Sequence, residues 1–332
     1  MFHCKEIDIA TATEAYEKAR NSSLFCSPKL LERLGYSVCY YGGFKNNHLL
    51  IVWPLIMNGS KSKKSPLFSY YFGPFWIDDK SYEPPYKMFK NNLEVLNTVF
   101  PIIDNFAEQL HFSLVPEFQD LRPFLWWNYH CVMGSRFDVK LRYSARISFE
   151  NKISDDEIMN LLRRDDKRKK LRKAIRDSLL STRWGSSAQP QEYLNLYLKT
   201  IERSSGSPLD LESRYAFIQM IESVDLGCPT SGVFKIIELR GVENQNIEGF
   251  QLVLIGKNMI YLLAQSVTTE ARKKNGSLLL TFEAIKYARD NGLTLDFNGA
   301  NSPDRADDKH AFGAHITNYY DMELRNEKKI QH

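Results

Sequence analysis

A succession of short apolar runs in the second half constrains this chain most: "GVFKIIELR" (232–240), "GFQLVLIG" (249–256) and "MIYLLAQSV" (259–267). Each has strand length and is rich in β-branched or large apolar residues, and Gly256-Lys257-Asn258 supplies a tight turn between the last two. The pattern predicts an antiparallel meander. "NGSLLLTFEAIKYARDNG" follows, with Leu278, Phe282 and Ile285 at helical spacing, Asn275 or Ser277 as the opening cap and Asn291-Gly292 as the stop. "LTLDF" and "ITNYYDMEL" then return to strand character.

The first half runs in the same order. Short helices are predicted at Thr13–Ala19 and Pro28–Leu34, and strands at Tyr36–Tyr41 and His48–Met57 around the turn "YGGFKNN". An aromatic strand in "SPLFSYYFGPFW" breaks at Gly73-Pro74, and a helix fills Pro85–Gln109 with Pro101 as a candidate break. "HFSLV" and "RFDVKLRYSARISF" close the half as strands. With 332 residues available, the repeat predicts a duplicated α/β unit: residues 1–150, a connector at 151–182, and residues 183–332.

The connector is strongly basic. Ser154 and Glu157 form a capping box, with Asp155 and Asp156 at the positive end of the helix dipole. From Arg163 to Arg176 there are nine Lys or Arg and two Asp, a local net charge of +7. Two readings stay open, a solvated face or a surface for an anion or nucleic acid.

The whole chain carries only +4, so no global field demands a polyanionic partner. Five scattered cysteines form no Cys-x-x-Cys pair, which suggests neither a zinc site nor a disulfide framework and fits a reduced cytoplasmic setting. No apolar run approaches the roughly 20 residues of a membrane helix, and the N-terminus lacks the layout of a signal peptide. A cytoplasmic protein that is not an integral membrane protein is expected.

The ordered set "LLAQSV", "ARKKNGSLLLTFEAIKYARDNG", "LTLDFNGAN" and "HAFGAHITNYY" resembles the C-terminal half of Fem-type aminoacyltransferases and their acetyltransferase-like relatives in the GNAT superfamily. The basic Lys169-Lys170-Leu171-Arg172-Lys173-Ala174 and the step Tyr71-Phe72-Gly73-Pro74 are similar to further family features, so the resemblance spans about Tyr36 to Leu324. It implies an α/β fold of two tandem GNAT-like units, mixed sheets flanked by helices. It also implies direct N-acyl transfer without a metal, onto an amino group of a small-molecule or lipid-linked amino-sugar or peptide acceptor from cell-envelope or polysaccharide synthesis. A CoA-binding loop in that superfamily carries several glycines, whereas "ARKKNGS" has only Gly276. The donor therefore stays open between acyl-CoA and aminoacyl-tRNA. The rival reading is a non-catalytic protein of the same fold that binds RNA or another polyanion through the basic helix.

Within that frame the transfer needs an aligned carbonyl, a neutral amine and a donor for the oxyanion. The resemblance puts the donor between "MIYLLAQSV" and "LTLDFNG", where a main-chain N–H near Leu263 to Gln265 meets the carbonyl. Asp296 alternates with Leu295 and Phe297, so it is the candidate to orient or deprotonate the amine, or else it binds N–H groups of the Asn298-Gly299 turn. Gln265 is the second catalytic candidate. Val267, Lys273, Lys274, Gly276 and Ser277 are donor-binding candidates around a helix N-terminus. Tyr261, Asn298, Arg305 and Lys309, with Tyr71 and Trp76 as the exposed members of an aromatic strip, are acceptor candidates. His310 and His315 receive no role.

Overall fold

The computed structural model describes residues 1–19, 22–58, 61–62, 65, 68–77, 85–106, 110–130, 134–149, 153–205 and 208–326. Two compact units emerge, Met1–Arg142 with Asn318–His332, and Tyr143–Thr317. This differs from a division into consecutive halves, because the last strand pairs within the first unit and the basic connector packs within the second.

The first unit contains β1 (Phe2–Ile7), α1 (Ile9–Glu17), α2 (Pro28–Arg33), β2 (Val38–Lys45), β3 (His48–Asn58), β4 (Lys61–Ser62), β5 (Phe75–Trp76), α3 (Pro85–Phe106), β6 (Leu110–Leu114), α4 (Arg122–Trp126) and the start of β7 (Ser135–Ile147). The expected β2–β3 hairpin forms, and β1, which the sequence did not announce, adds to it with Tyr41 opposite Glu6. Asp8 starts α1 earlier than predicted by accepting from the Thr11 N–H at 2.7 Å. Pro101 lies inside α3 without ending it, and residues 107–109 of the predicted helix lie outside the described residues.

Aromatic packing fills this unit. Trp53 meets Phe112 edge-on at 4.9 Å, and Phe124 meets Phe137 at 5.2 Å. Tyr71 and Trp76 belong to that core, which corrects their assignment as exposed acceptor contacts: they are 1% and 5% exposed. Tyr71 packs edge-on against Tyr319, and Trp76 stacks on Phe118. A place beside the Gly73-Pro74 break does not expose them, because the break itself is packed into the core: Phe72 and Phe75 are buried too.

The second unit continues with α5 (Asp155–Leu161), α6 (Asp165–Asp177), β8 (Leu180–Trp184), α7 (Pro190–Ser205), α8 (Leu211–Glu222), β9 (Val233–Gly241), β10 (Ile247–Ile255), β11 (Met259–Val267), α9 (Thr269–Lys273), α10 (Gly276–Asp290), β12 (Thr294–Asp296), α11 (Pro303–Ala311) and the start of β13 (His315–Asn326). Strand order is β7-β12-β11-β10-β9-β8, so the predicted meander forms one side of the sheet. The connector is two helices rather than one. The capping box at Ser154 and Glu157 is present, and the break at Leu162 to Arg164 is held by the Arg163 N–H on the Ala311 carbonyl and by Arg168 on the Leu162 carbonyl.

Helix α10 covers the sheet through Leu280, Ala284, Ile285 and Ala288, none more than 1% exposed. Truncating such a residue as Leu280 to Ala costs about 2–5 kcal/mol. At its first position, a Cβ on Gly276 would sit 2.4 Å from Leu239 Cδ2 and 3.0 Å from the Ala271 carbonyl oxygen. That close approach to β9 and α9 gives Gly276 a packing role.

Candidate active site

Strands β11 and β12 run parallel and pair at Met259 with Thr294, Ile260 with Leu295 and Tyr261 with Asp296. There the ladder ends. On its other side β11 changes register against β10: Leu262 faces Val253 and Ala264 faces Leu252, so Leu263 is the extra residue of a bulge. Such a residue is left out of the ladder, which makes its N–H the candidate oxyanion donor.

A buried side chain braces the bulge. Gln251, 2% exposed, donates its amide to the carbonyls of Leu252 and Ala264, at 3.0 Å each. Its Oε1 accepts from Gln265 Nε2 at 3.1 Å, and Gln265 also reaches the Ser277 carbonyl and the Thr281 hydroxyl. Gln265 therefore links the bulge to the first turn of α10.

After Asp296 the chain turns away from β12 with Asn298 and Gly299 in the left-handed region, φ 50° and 48°. Asparagine tolerates that conformation better than most residues. The Asn298 Nδ2 donates to the Leu262 carbonyl at 2.9 Å, while its Oδ1, also buried, accepts no hydrogen bond from the described residues. A buried acceptor without a donor is costly, which makes this atom a candidate contact for a substrate N–H.

Asp296 has a different place from that of a free base. It is fully buried and accepts from Ser144 Oγ at 2.6 Å, Arg146 Nε at 2.7 Å and the Asn298 N–H at 2.8 Å. The turn-binding alternative is the one realised, reinforced by an ion pair to β7. Lys309 likewise turns inward: its ammonium donates to the carbonyls of Phe297, Asn298 and Gly299, which commits three donors to the loop rather than to an anionic acceptor.

Next to this strand end lies a cavity of about 220 Å³. Leu262, Leu278, Phe297 and Phe312 make its apolar wall, with the two rings stacked at 5.9 Å, and Gln265, Ser277 and Thr281 make the polar side. Lys167, from the basic helix, lines it together with Gln251, Asp308 and Lys309: nearly buried, paired with Asp308, its ammonium is 5.6 Å from the Phe312 ring centre. The cavity is large enough for roughly seven water-sized groups, so it suits a small transferred group and not a whole carrier.

The other candidates are dispersed. Ser277 reaches the cavity, Val267 is buried opposite Gly249, and Lys273 and Lys274 are exposed, with Lys273 paired to Glu270. Tyr261 is buried in the β11 ladder. The Arg305 side chain lies outside the described residues, on a helix, α11, where the sequence suggested a polar loop. Sequence reasoning also missed Glu238, which is fully buried in β9 and accepts from Tyr193 Oη, the Ser187 N–H and hydroxyl, and Arg240 Nε. Burial pushes that carboxyl up, but the donors outweigh it and hold it below the ordinary carboxylate range. Among the described residues no group of three or more His, Cys, Asp or Glu is placed to hold a metal.

Neither a protein-family model nor a curated protein matches the sequence. Solved structures do match the fold. FemX shares it with a TM-score of 0.60 at 14% identity, covering 96% of both chains. The C-terminal domain of a putative lysylphosphatidylglycerol synthetase from Agrobacterium fabrum matches at TM-score 0.55 and 11% identity, covering 97% of this chain and 93% of that one. A tandem GNAT protein of the clavulanic acid biosynthesis pathway matches at TM-score 0.54 and 8% identity, covering 98% of both. The chain therefore has the tandem GNAT fold, in the form found in FemX.

Proposed function

We propose that the second unit is an N-acyltransferase site that moves an acetyl, acyl or aminoacyl group directly from an activated carrier to an amine. The observation that carries this reading is the parted pair β11–β12, with a bulge at Leu263 on one side and the unsatisfied Asn298 Oδ1 on the other. The amine nitrogen attacks the carbonyl carbon, forming the C–N bond. The carbonyl oxygen, now negative, meets the bulge N–H, and Asn298 Oδ1 accepts a hydrogen of the attacking amine. Collapse breaks the bond to the carrier oxygen or sulfur, and the proton lost by nitrogen passes to the leaving group or to water. No covalent enzyme intermediate is required, and Asp296 serves as the brace of the strand end.

The carrier is an acyl-CoA or an aminoacyl-tRNA. The acceptor amine belongs to a cell-envelope or polysaccharide precursor, a reading supported by likeness to FemX and to a putative lysylphosphatidylglycerol synthetase. A thermal-shift series with CoA, acetyl-CoA and charged tRNA tests it, since a ligand at 100 times its Kd stabilises by about 2.7 kcal/mol. A shift with one carrier class is the expected result. Silence with all three supports instead a non-catalytic binding protein of this fold.

A further inference from the structure

The C-terminal end of α6 carries a surface that acyl transfer does not use. Ile175, Leu179 and Val242 are 41%, 45% and 44% exposed. Leu179 and Val242 are neighbours, the Val242 N–H donating to the Leu179 carbonyl at 3.1 Å, and Ile175 lies on the last turn of α6 just before them in the chain. Ser178, left-handed at φ 48°, ends the helix between them and turns the chain into β8.

The helix that leads into this aliphatic trio is rich in exposed bases. Lys169, Arg172, Lys173 and Arg176 are exposed on α6, with Arg172 one turn before Ile175. Among the described residues Lys169, Arg172 and Lys173 have no carboxylate partner, while Arg176 pairs with Asp177 at 3.5 Å. Glu243, next to Val242, is the other acid close by, so positive charge remains in excess.

We infer that this surface docks on an anionic lipid bilayer, the aliphatic trio entering the interface and the bases meeting headgroup phosphates. Three aliphatic side chains are far short of the roughly 800 Å² per partner of a stable protein interface. RNA supplies phosphates but no apolar phase for aliphatic groups, and the aromatic side chains on which its bases stack are missing from α6. An anionic membrane meets both needs at once. The inference is independent of the transfer chemistry, since it concerns where the protein sits.

The test is vesicle flotation of the full chain with phosphatidylcholine alone and with increasing phosphatidylglycerol. Flotation should rise with the anionic fraction and fall with salt. Replacing Lys169, Arg172 and Lys173 by Gln should lower the partition coefficient roughly fivefold per base, and Ile175→Ser with Leu179→Ser by roughly tenfold. Val242→Ser, on a separate element, provides a second aliphatic variant should the double variant melt early. No flotation, or equal flotation on neutral vesicles, overturns the inference. So does a surface whose charge variant loses tRNA binding while the aliphatic variants leave flotation unchanged.

Discussion

The side-chain amide of Asn298 donates to the Leu262 carbonyl at 2.9 Å, across the point where β11 and β12 cease to pair. One end of this residue holds the parted strands, and the other end, Oδ1, is buried with no donor among the described residues. The structural role and the proposed chemical one thus fall on one side chain.

Asn298→Gly removes both together without adding backbone strain, because glycine accepts φ 50°. The turnover rate should fall at least tenfold, about 1.4 kcal/mol of barrier. Steady-state kinetics with a saturating donor, beside a melting curve, checks this. A rate within twofold of wild type would leave Asn298 as a brace alone.

Asp296→Asn should act on stability more than on chemistry. Arg146, 14% exposed, loses its carboxylate, and removing one partner of a buried pair costs about 3–5 kcal/mol. At roughly 2–4 °C per kcal/mol, the melting temperature should drop by about 6–20 °C. If calorimetry finds the melting point unchanged while turnover collapses, Asp296 is a base after all.

The contrast between these two residues shows what the sequence could convey. The meander β9 to β11 and helix α10 were legible, since period, turn residues and caps are local signals. Helix α7 was legible in principle too, with buried Tyr193, Leu194 and Tyr197 at helical spacing after Pro190. The partners of Asp296 were not, because Ser144 and Arg146 lie about 150 residues away in sequence. The bulge was hidden as well: "MIYLLAQSV" reads as an unbroken strand, and the side chain that braces the irregularity, Gln251, is on the strand before it. Tyr71 and Trp76 were misread because a Gly-Pro break suggests a surface turn, whereas this one lies against the aromatic core, where Tyr71 meets Tyr319 and Trp76 meets Phe118.

Acid stability should report on Glu238. Its folded pKa is depressed, so its contribution is fully present above the unfolded value of about 4.3 and is lost as pH falls through the lower folded value. Glu238→Gln keeps the shape but weakens the acceptor for Tyr193, Ser187 and Arg240, at a cost of roughly 2 kcal/mol near neutrality. Urea titrations from pH 7 down to pH 3 should show a constant gap between wild type and variant above about pH 5 that narrows below pH 4. A gap that widens on acidification would mean the carboxyl is neutral in the folded chain.

Gln251→Leu tests whether the bulge itself is catalytic. The substitution nearly preserves volume but strips the donors from the Leu252 and Ala264 carbonyls and the acceptor from Gln265. Each buried group left unsatisfied costs about 1–3 kcal/mol, so a fall in stability of roughly 2–4 kcal/mol is expected once the strand relaxes. Relaxation would shift the bulge and misplace the Leu263 N–H proposed to meet the oxyanion. That interaction exists only in the transition state, so kcat should fall by tenfold or more per folded molecule while donor affinity changes little. Pairing Gln251→Leu with Gln265→Leu in a double-mutant cycle should give a coupling of about 0.5–3 kcal/mol, since the two amides act through one hydrogen bond. Normal turnover in a Gln251→Leu protein that is destabilised but still folded would move the oxyanion site away from Leu263.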